Sequence, residues 1–192
     1  MPIWDKAGKR PTYIAADKTK NVIATEKGWE TRTHYTDNTG TLRTKGSVAV
    51  VITGLASEVT MGNPDIVELY VSNTTNGTTL KAGQTGYVNV VYTEALSIGA
   101  GATAMTLTIK NQTANTTVTA TSSTDKADIL NANNTISFEF TANAGVHLVE
   151  AQTLGGNTST INVYSVLGGT TEKANTAISS AVSTKYGSFT VS

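Results

Sequence analysis

Apolar and polar residues alternate in short stretches from residue 64 onward. The clearest alternation occupies Val67–Val71, Val88–Tyr92, Met105–Ile109 and Ile136–Phe140, and further candidates are Val146–Thr153, Ile161–Val166 and Tyr186–Val191. A period of two residues puts alternate side chains on opposite faces of a strand, so each stretch offers one face to a core. Small and polar residues separate the stretches, as turns require. The pattern predicts about seven or eight β-strands.

One stretch has a spacing closer to that of a helix. Ala174, Ala177, Ile178 and Ala181 lie three or four residues apart within Glu172–Val182, although the Asn, Thr and Ser residues there disfavour a long helix. Threonine supplies 36 of the 192 residues, and β-branched threonine suits the solvent face of a sheet. An all-β fold follows, and the number and spacing of the strands predict that residues 64–192 form an immunoglobulin-like β-sandwich.

The segment before this domain predicts a β-hairpin. Trp29–Thr36 alternates large and polar residues, Asp37–Gly40 contains turn residues, and Thr41–Lys45 begins the return strand, which continues into the apolar run Ser47–Thr53. Gly54–Pro64 contains two glycines and a proline and has the composition of a connection. We therefore expect residues 29–63 to form a hairpin base and a connection.

Residues 1–28 have no sustained period and predict an extended arm. Residues 1–46 carry nine basic and five acidic residues, a net charge of +4, whereas residues 47–192 carry five and nine, a net charge of −4. Isolated apolar anchors on a basic segment suit an arm that lies in the grooves of an acidic partner. The expected partner-binding residues are Ile3, Trp4, Lys9, Arg10, Tyr13, Lys18 and Trp29. A solvated tail, or a terminus packed on its own domain, is the alternative.

No group of residues predicts catalysis, a metal site or a cofactor. The chain has no cysteine, and its histidines, His34 and His147, lie far apart in predicted strands, where we expect them on the strand surface rather than as metal ligands. Glu94, Glu139 and Glu150 are separate in sequence, and Glu139 is expected to point away from the core. Asp125 and Asp128 share a loop but lack the glycine and further acids of a calcium loop. The sequence predicts a protein that is not an enzyme.

Charge and hydropathy also bear on partners and location. The basic residues are interspersed with acidic ones instead of forming a phosphate-binding track, which disfavours nucleic acid as a partner. No stretch approaches the roughly 20 apolar residues of a membrane span, and the N-terminus lacks the apolar segment of a signal peptide. We expect a protein that is assembled in the cytoplasm where it is made.

Two parts of the sequence carry a family resemblance. The opening Met1–Pro11, with Asp17-Lys18 and Ala24–Trp29 before a hairpin, resembles the N-terminal region of structural proteins from marine tailed phages. Gly86–Leu96 is similar to a strand of bacterial and phage immunoglobulin-like domains that ends in an acidic residue. The resemblance implies a virion protein that decorates the capsid exterior and binds the major capsid protein lattice, and it implies no catalytic residue.

Other functions remain open from the sequence. The protein could belong to the tail, neck or fibre of a virion instead of the capsid. It could also be a carbohydrate-binding or adhesive module, for which Tyr70 and Tyr87 are the candidate aromatic residues. The sequence is also compatible with a homo-oligomer.

Overall fold

The computed structural model describes residues 22–25, 28–36, 42–51, 63–74, 79–98, 104–122, 134–155, 163–165 and 173–192. These residues form fourteen strands and one short helix, α1, which spans Ser180–Tyr186. The strands are β1 (Val22–Thr25), β2 (Gly28–Thr36), β3 (Leu42–Val51), β4 (Ile66–Asn73), β5 (Thr85–Tyr92), β6 (Leu96–Ile98), β7 (Thr106–Asn111), β8 (Thr116–Ser122), β9 (Thr135–Thr141), β10 (Gly145–Leu148), β11 (Gln152–Thr153), β12 (Val163–Ser165), β13 (Ala177–Ile178) and β14 (Ser188–Val191). The fold is mostly β, as the alternation predicts.

The first three strands form a small antiparallel sheet, the base sheet, in the order β1-β2-β3. The predicted hairpin is confirmed, because β2 and β3 pair from Gly28↔Val51 to Thr36↔Leu42. β1 pairs with the beginning of β2 on its other side. The base sheet therefore includes residues 22–25, which the sequence pattern placed in the arm.

Seven strands form the main sheet, in the order β14-β10-β7-β8-β9-β5-β4. Every neighbouring pair in this sheet is antiparallel. β7, β8 and β9 are consecutive, and β5 lies beside β9 instead of beside β7, which is a Greek-key order of four strands. Two two-stranded sheets, β11-β13 and β12-β6, are the remaining sheets among the described residues.

The core lies on the inward face of the main sheet. The alternation predicted for Met105–Ile109 and Ile136–Phe140 is confirmed, because their apolar residues are buried and Glu139 is exposed. β4 and β5 differ from a half-buried strand, since Glu68 and Val91 on the other face are buried as well. The largest fully buried side chains in the main sheet's core are Tyr92, Phe138, Leu80, Leu96, Met105, Leu107, Ile109, Ile136 and Leu154.

The main sheet curls until its two edges approach each other, and its shape is nearly that of a barrel. With an odd number of antiparallel strands, the two edge strands β4 and β14 run in the same direction. At this seam Val191 of β14 makes a parallel bridge to Leu80, which lies between β4 and β5. The Ala82 amide donates to the Ser192 carbonyl at 2.8 Å, and the Ser192 amide donates to the Leu80 carbonyl at 3.0 Å. α1 contacts both β4 and β14 and packs at this seam.

The helix lies closer to the C-terminus than the predicted Glu172–Val182. Ser179 is its N-cap, and the Ser179 side chain accepts a hydrogen bond from the Val182 amide. A serine at this position favours a helix start because its hydroxyl pairs with an amide that has no partner inside the helix. Ala177–Ile178 before it is extended and pairs with β11.

His147 is buried, so the prediction of a strand-surface histidine is wrong. Within β10 the exposed residue is Val146, and His147 points into the core. The imidazole stacks on the Phe189 ring with centroids 5.1 Å apart, and its Nδ1 lies 3.1 Å from the Gly145 carbonyl oxygen. The other ring nitrogen, Nε2, is buried and has no hydrogen-bond partner among the described residues.

Candidate functional site

Most of the predicted partner-binding residues lie outside the described part of the chain. These are Ile3, Trp4, Lys9, Arg10, Tyr13 and Lys18. Trp29, the remaining one, lies on β2 and is 2% exposed. Its indole is packed within the chain, so in this conformation little of the ring is available to a partner.

The carboxylates considered for hydrolysis are not brought together. Glu94 is fully buried after β5, Glu139 is exposed on β9, and Glu150 is exposed after β10, where it lies 3.7 Å from the Lys110 ammonium. No group of three or more His, Cys, Asp or Glu side chains among the described residues is placed to hold a metal ion. Asp125 and Asp128 lie outside those residues.

The structure does bring Tyr70 and Tyr87 together. In the pairing of β4 with β5, Tyr70 lies opposite Asn89 and Ser72 lies opposite Tyr87. The two tyrosines are therefore diagonal neighbours on the outward face of the main sheet, within reach of each other's side chains. Both are half-buried. Their aromatic type makes them candidates from the sequence, and the strand register places them on one surface.

A buried amide fixes the side chains next to these tyrosines. The Asn89 Nδ2 donates to the Ser72 hydroxyl at 2.9 Å and to the Tyr70 carbonyl at 3.3 Å, and the Ser137 hydroxyl donates to Asn89 Oδ1 at 2.6 Å. Asn89 thus joins β4, β5 and β9 on the outward face. A buried amide with both its oxygen and its nitrogen hydrogen-bonded favours one arrangement of the strands over shifted ones.

Exposed polar residues extend the surface across β9 and β8. Tyr87 lies opposite Glu139, and Glu139 lies opposite Thr121. Glu139 and Thr121 are exposed, whereas Glu68, Ser72 and Asn89 are buried. The four strands β4, β5, β8 and β9 contain no lysine, arginine or histidine. On these four strands the accessible part of this face is accordingly an aromatic ring beside a carboxylate and hydroxyl groups, without a cation.

The sequence does not group the residues that surround Tyr87 with that tyrosine. The outward direction of Glu139 was predicted from its alternation with Phe138 and Phe140, and the structure confirms it. Ser137 and Thr121 alternate with buried residues in the same way. That signal gives their direction, but their position beside Tyr87 depends on which strands pair.

The pKa of one tyrosine on β4 and of one on β5 is raised above the ordinary value. Burial raises the pKa of Tyr70, and the Glu68 carboxylate adds to this effect. Burial alone raises the pKa of Tyr92, which is fully buried in the core. The Tyr92 hydroxyl has no hydrogen-bond partner in the described part of the protein.

We expect Tyr92→Phe to stabilise the protein by about 1 kcal/mol at pH 7, because it removes a buried hydroxyl that lacks a partner. The raised pKa of Tyr92 also makes the stability of the wild type depend on pH more strongly than that of the variant at alkaline pH. Above the unfolded-state value of about 10, ionisation favours the unfolded wild type, so its stability falls as pH rises while the variant loses less. Urea unfolding of both proteins between about pH 7 and pH 11 measures this. A stability difference that does not grow above pH 10 would contradict it.

Comparison of the chain with protein-family models, curated proteins and solved structures found no match. No helix in the described ranges has the length and apolar character that would span a bilayer.

Proposed function

We propose that this chain is a phage virion structural protein, without enzymatic activity, that binds and stabilises the capsid exterior. The observation that carries the proposal is the division of charge along the chain. The basic excess lies in residues 1–46, which comprise the arm and most of the base sheet. The acidic excess lies mainly in the body that contains the main sheet. The resemblance of the N-terminal residues to virion structural proteins supports the same division of roles.

In this proposal the arm attaches the protein and the body projects outward. Ile3, Trp4 and Tyr13 supply apolar contact with the capsid lattice, while Lys9, Arg10 and Lys18 match an acidic surface. An arm that contacts neighbouring capsid subunits binds only the assembled shell and stabilises it by mass action. Trp29 then serves the base sheet, consistent with its burial.

We also propose that the body is an immunoglobulin-like sandwich. The Greek-key order of β5, β7, β8 and β9 supports this, because Greek keys occur in most β-sandwiches. The main sheet is nearly closed into a barrel, and in this respect the body differs from a sandwich of two clearly separate sheets.

The experiment measures binding to empty expanded shells of the major capsid protein encoded in the same genome. A deletion of residues 1–21 removes the arm and leaves β1 intact. We expect this variant to lose at least about tenfold in affinity by co-sedimentation. The triple variant Lys9→Glu, Arg10→Glu, Lys18→Glu should also bind weakly, with a salt-dependent deficit.

The matched control makes the same change of charge in the body, at three exposed lysines: Lys81→Glu, Lys173→Glu and Lys185→Glu. It should bind as the wild type does. Saturation of the shell by the protein without residues 1–21 would overturn the arm's role. Copy number in purified virions separates a capsid decoration protein from a tail, neck or fibre component, which would be present in far fewer copies.

A further inference from the structure

We propose that the outward face of the main sheet around Tyr87 is a binding site for a neutral polysaccharide. The site, called the Tyr87 patch, consists of Tyr87, Ser137, Glu139 and Thr121. This inference is independent of the proposed attachment to a capsid, since it concerns the body of the protein and not the arm.

The register places these groups in a compact array. Tyr87, Glu139 and Thr121 lie opposite one another on β5, β9 and β8, so they form a row perpendicular to the strands. Neighbouring strands are about 4.8 Å apart, and the row is therefore about 10 Å long, enough for about two sugar rings. Ser137 lies two residues from Glu139 on the same face of β9.

The array is held in place before a ligand arrives. Its residues lie on paired strands, not on loops, and the Ser137 hydroxyl is fixed by its 2.6 Å hydrogen bond to the buried Asn89. Because Ser137 donates its proton to Asn89, its oxygen is left to accept from a ligand hydroxyl. Groups fixed by a buried partner lose little freedom on binding.

The chemistry of these groups selects the ligand. A tyrosine ring is suited to stacking on the C–H face of a sugar, and a carboxylate such as that of Glu139 accepts hydrogen bonds from adjacent sugar hydroxyls. Thr121 both donates and accepts. The strands of the patch carry no cation, and Glu68 and Glu139 lie on the same face. The exposed Glu139 carboxylate disfavours sulfated or uronic-acid polymers and nucleic acids at this row, and neutral sugars suit the described groups best.

The test uses the full chain and two sets of probes. The neutral set contains laminarin, yeast mannan, dextran and agarose oligosaccharides, and the anionic set contains alginate and heparin. We expect binding to at least one neutral polysaccharide by microarray and calorimetry. Because no ligand charge is involved, the affinity should change less than about twofold between about 50 and 500 mM NaCl.

Variants then locate the site. Tyr87→Ala should lower the affinity at least about tenfold, Tyr87→Phe should retain it within about threefold, and Glu139→Gln should lower it about fivefold. Tyr186→Phe and Glu150→Gln are the matched controls elsewhere on the chain and should leave binding unchanged. Glu139→Lys changes an exposed residue and should also abolish binding. This variant therefore tests the site even if Tyr87→Ala does not fold.

Three results would overturn the inference. They are failure of every neutral polysaccharide to bind, binding restricted to the anionic set, and an affinity that is unchanged in both Tyr87→Ala and Glu139→Lys. Analytical ultracentrifugation of the same variants tests a second copy of the chain as the occupant instead. If the wild type is a dimer, the Tyr87 patch variants are monomers and none of these proteins binds a glycan, the patch is a contact between copies.

Discussion

Replacing Gly187 with alanine is expected to lower the free energy of unfolding by about 3 kcal/mol. Gly187 follows α1, and a Cβ atom there would lie 2.5 Å from the Val149 carbonyl oxygen and 2.6 Å from that of Ser183. Both obstructing atoms belong to the backbone, so a side-chain rotation cannot relieve the contact. The glycine has an ordinary negative φ of −76°, and the requirement is therefore for space and not for an unusual conformation.

The large effect follows from what the close approach holds together. The Val149 amide donates to the Gly187 carbonyl at 2.9 Å, and the Ser183 hydroxyl donates to the Val149 carbonyl at 2.7 Å. Moving α1 away to admit a methyl group weakens both bonds and the packing of Val182. Urea unfolding measures the loss, with Thr184→Ala on the exposed side of α1 as a control expected within about 0.5 kcal/mol of wild type. Equal stabilities of the two variants would show that α1 adjusts freely.

Gly86→Ala is expected to lower the free energy of unfolding by about 2 kcal/mol. Gly86 faces inward on β5, and a Cβ there would lie 2.9 Å from two carbon atoms of the Phe140 ring and 3.1 Å from Leu80 Cδ1. Phe140 and Leu80 are 4% and 1% exposed, so neither can move into solvent without losing buried area. Thermal or urea unfolding of the variant measures the effect.

A double variant tests the cause. Phe140→Leu removes part of the ring and alone should destabilise the protein through a cavity. In the Gly86→Ala background the same change also relieves the clash. The losses in free energy of unfolding of the two single variants should therefore add up to at least about 1 kcal/mol more than the loss of the double variant. Strict additivity would mean that Phe140 is not the obstacle at this position.

The features that the sequence predicts correctly depend on local periodicity. The direction of each side chain in β7 and β9 follows from its neighbours along the same strand, which is why Leu107 and Phe138 were correctly placed in the core and Glu139 outside it. The hairpin of the base sheet is similarly local, because its two strands are separated only by residues of turn composition.

The features that the sequence did not reveal depend on pairing or on single-residue shifts. Tyr87 and Glu139 are 52 positions apart and meet only because β5 pairs with β9. β10 has four residues, too few to establish which set faces inward, and a shift of one residue exchanges the faces. His147, expected at the strand surface as a lone histidine without further metal ligands, belongs to the inward-facing set. For α1, the apolar spacing was weaker evidence than the cap at Ser179.

The seam of the main sheet also bears on how copies of the protein behave when crowded. An open edge strand is a template to which another chain adds, and this is a common route to aggregation. Here β14 hydrogen-bonds to the segment around Leu80, and α1 packs against β4. The edge at β14 therefore has a main-chain partner within the chain, and the edge strand β4 has α1 packed against it. Such a body can be displayed at high local density with fewer routes to sheet addition, because main-chain groups at the C-terminal end of β14 are already hydrogen-bonded within the same chain.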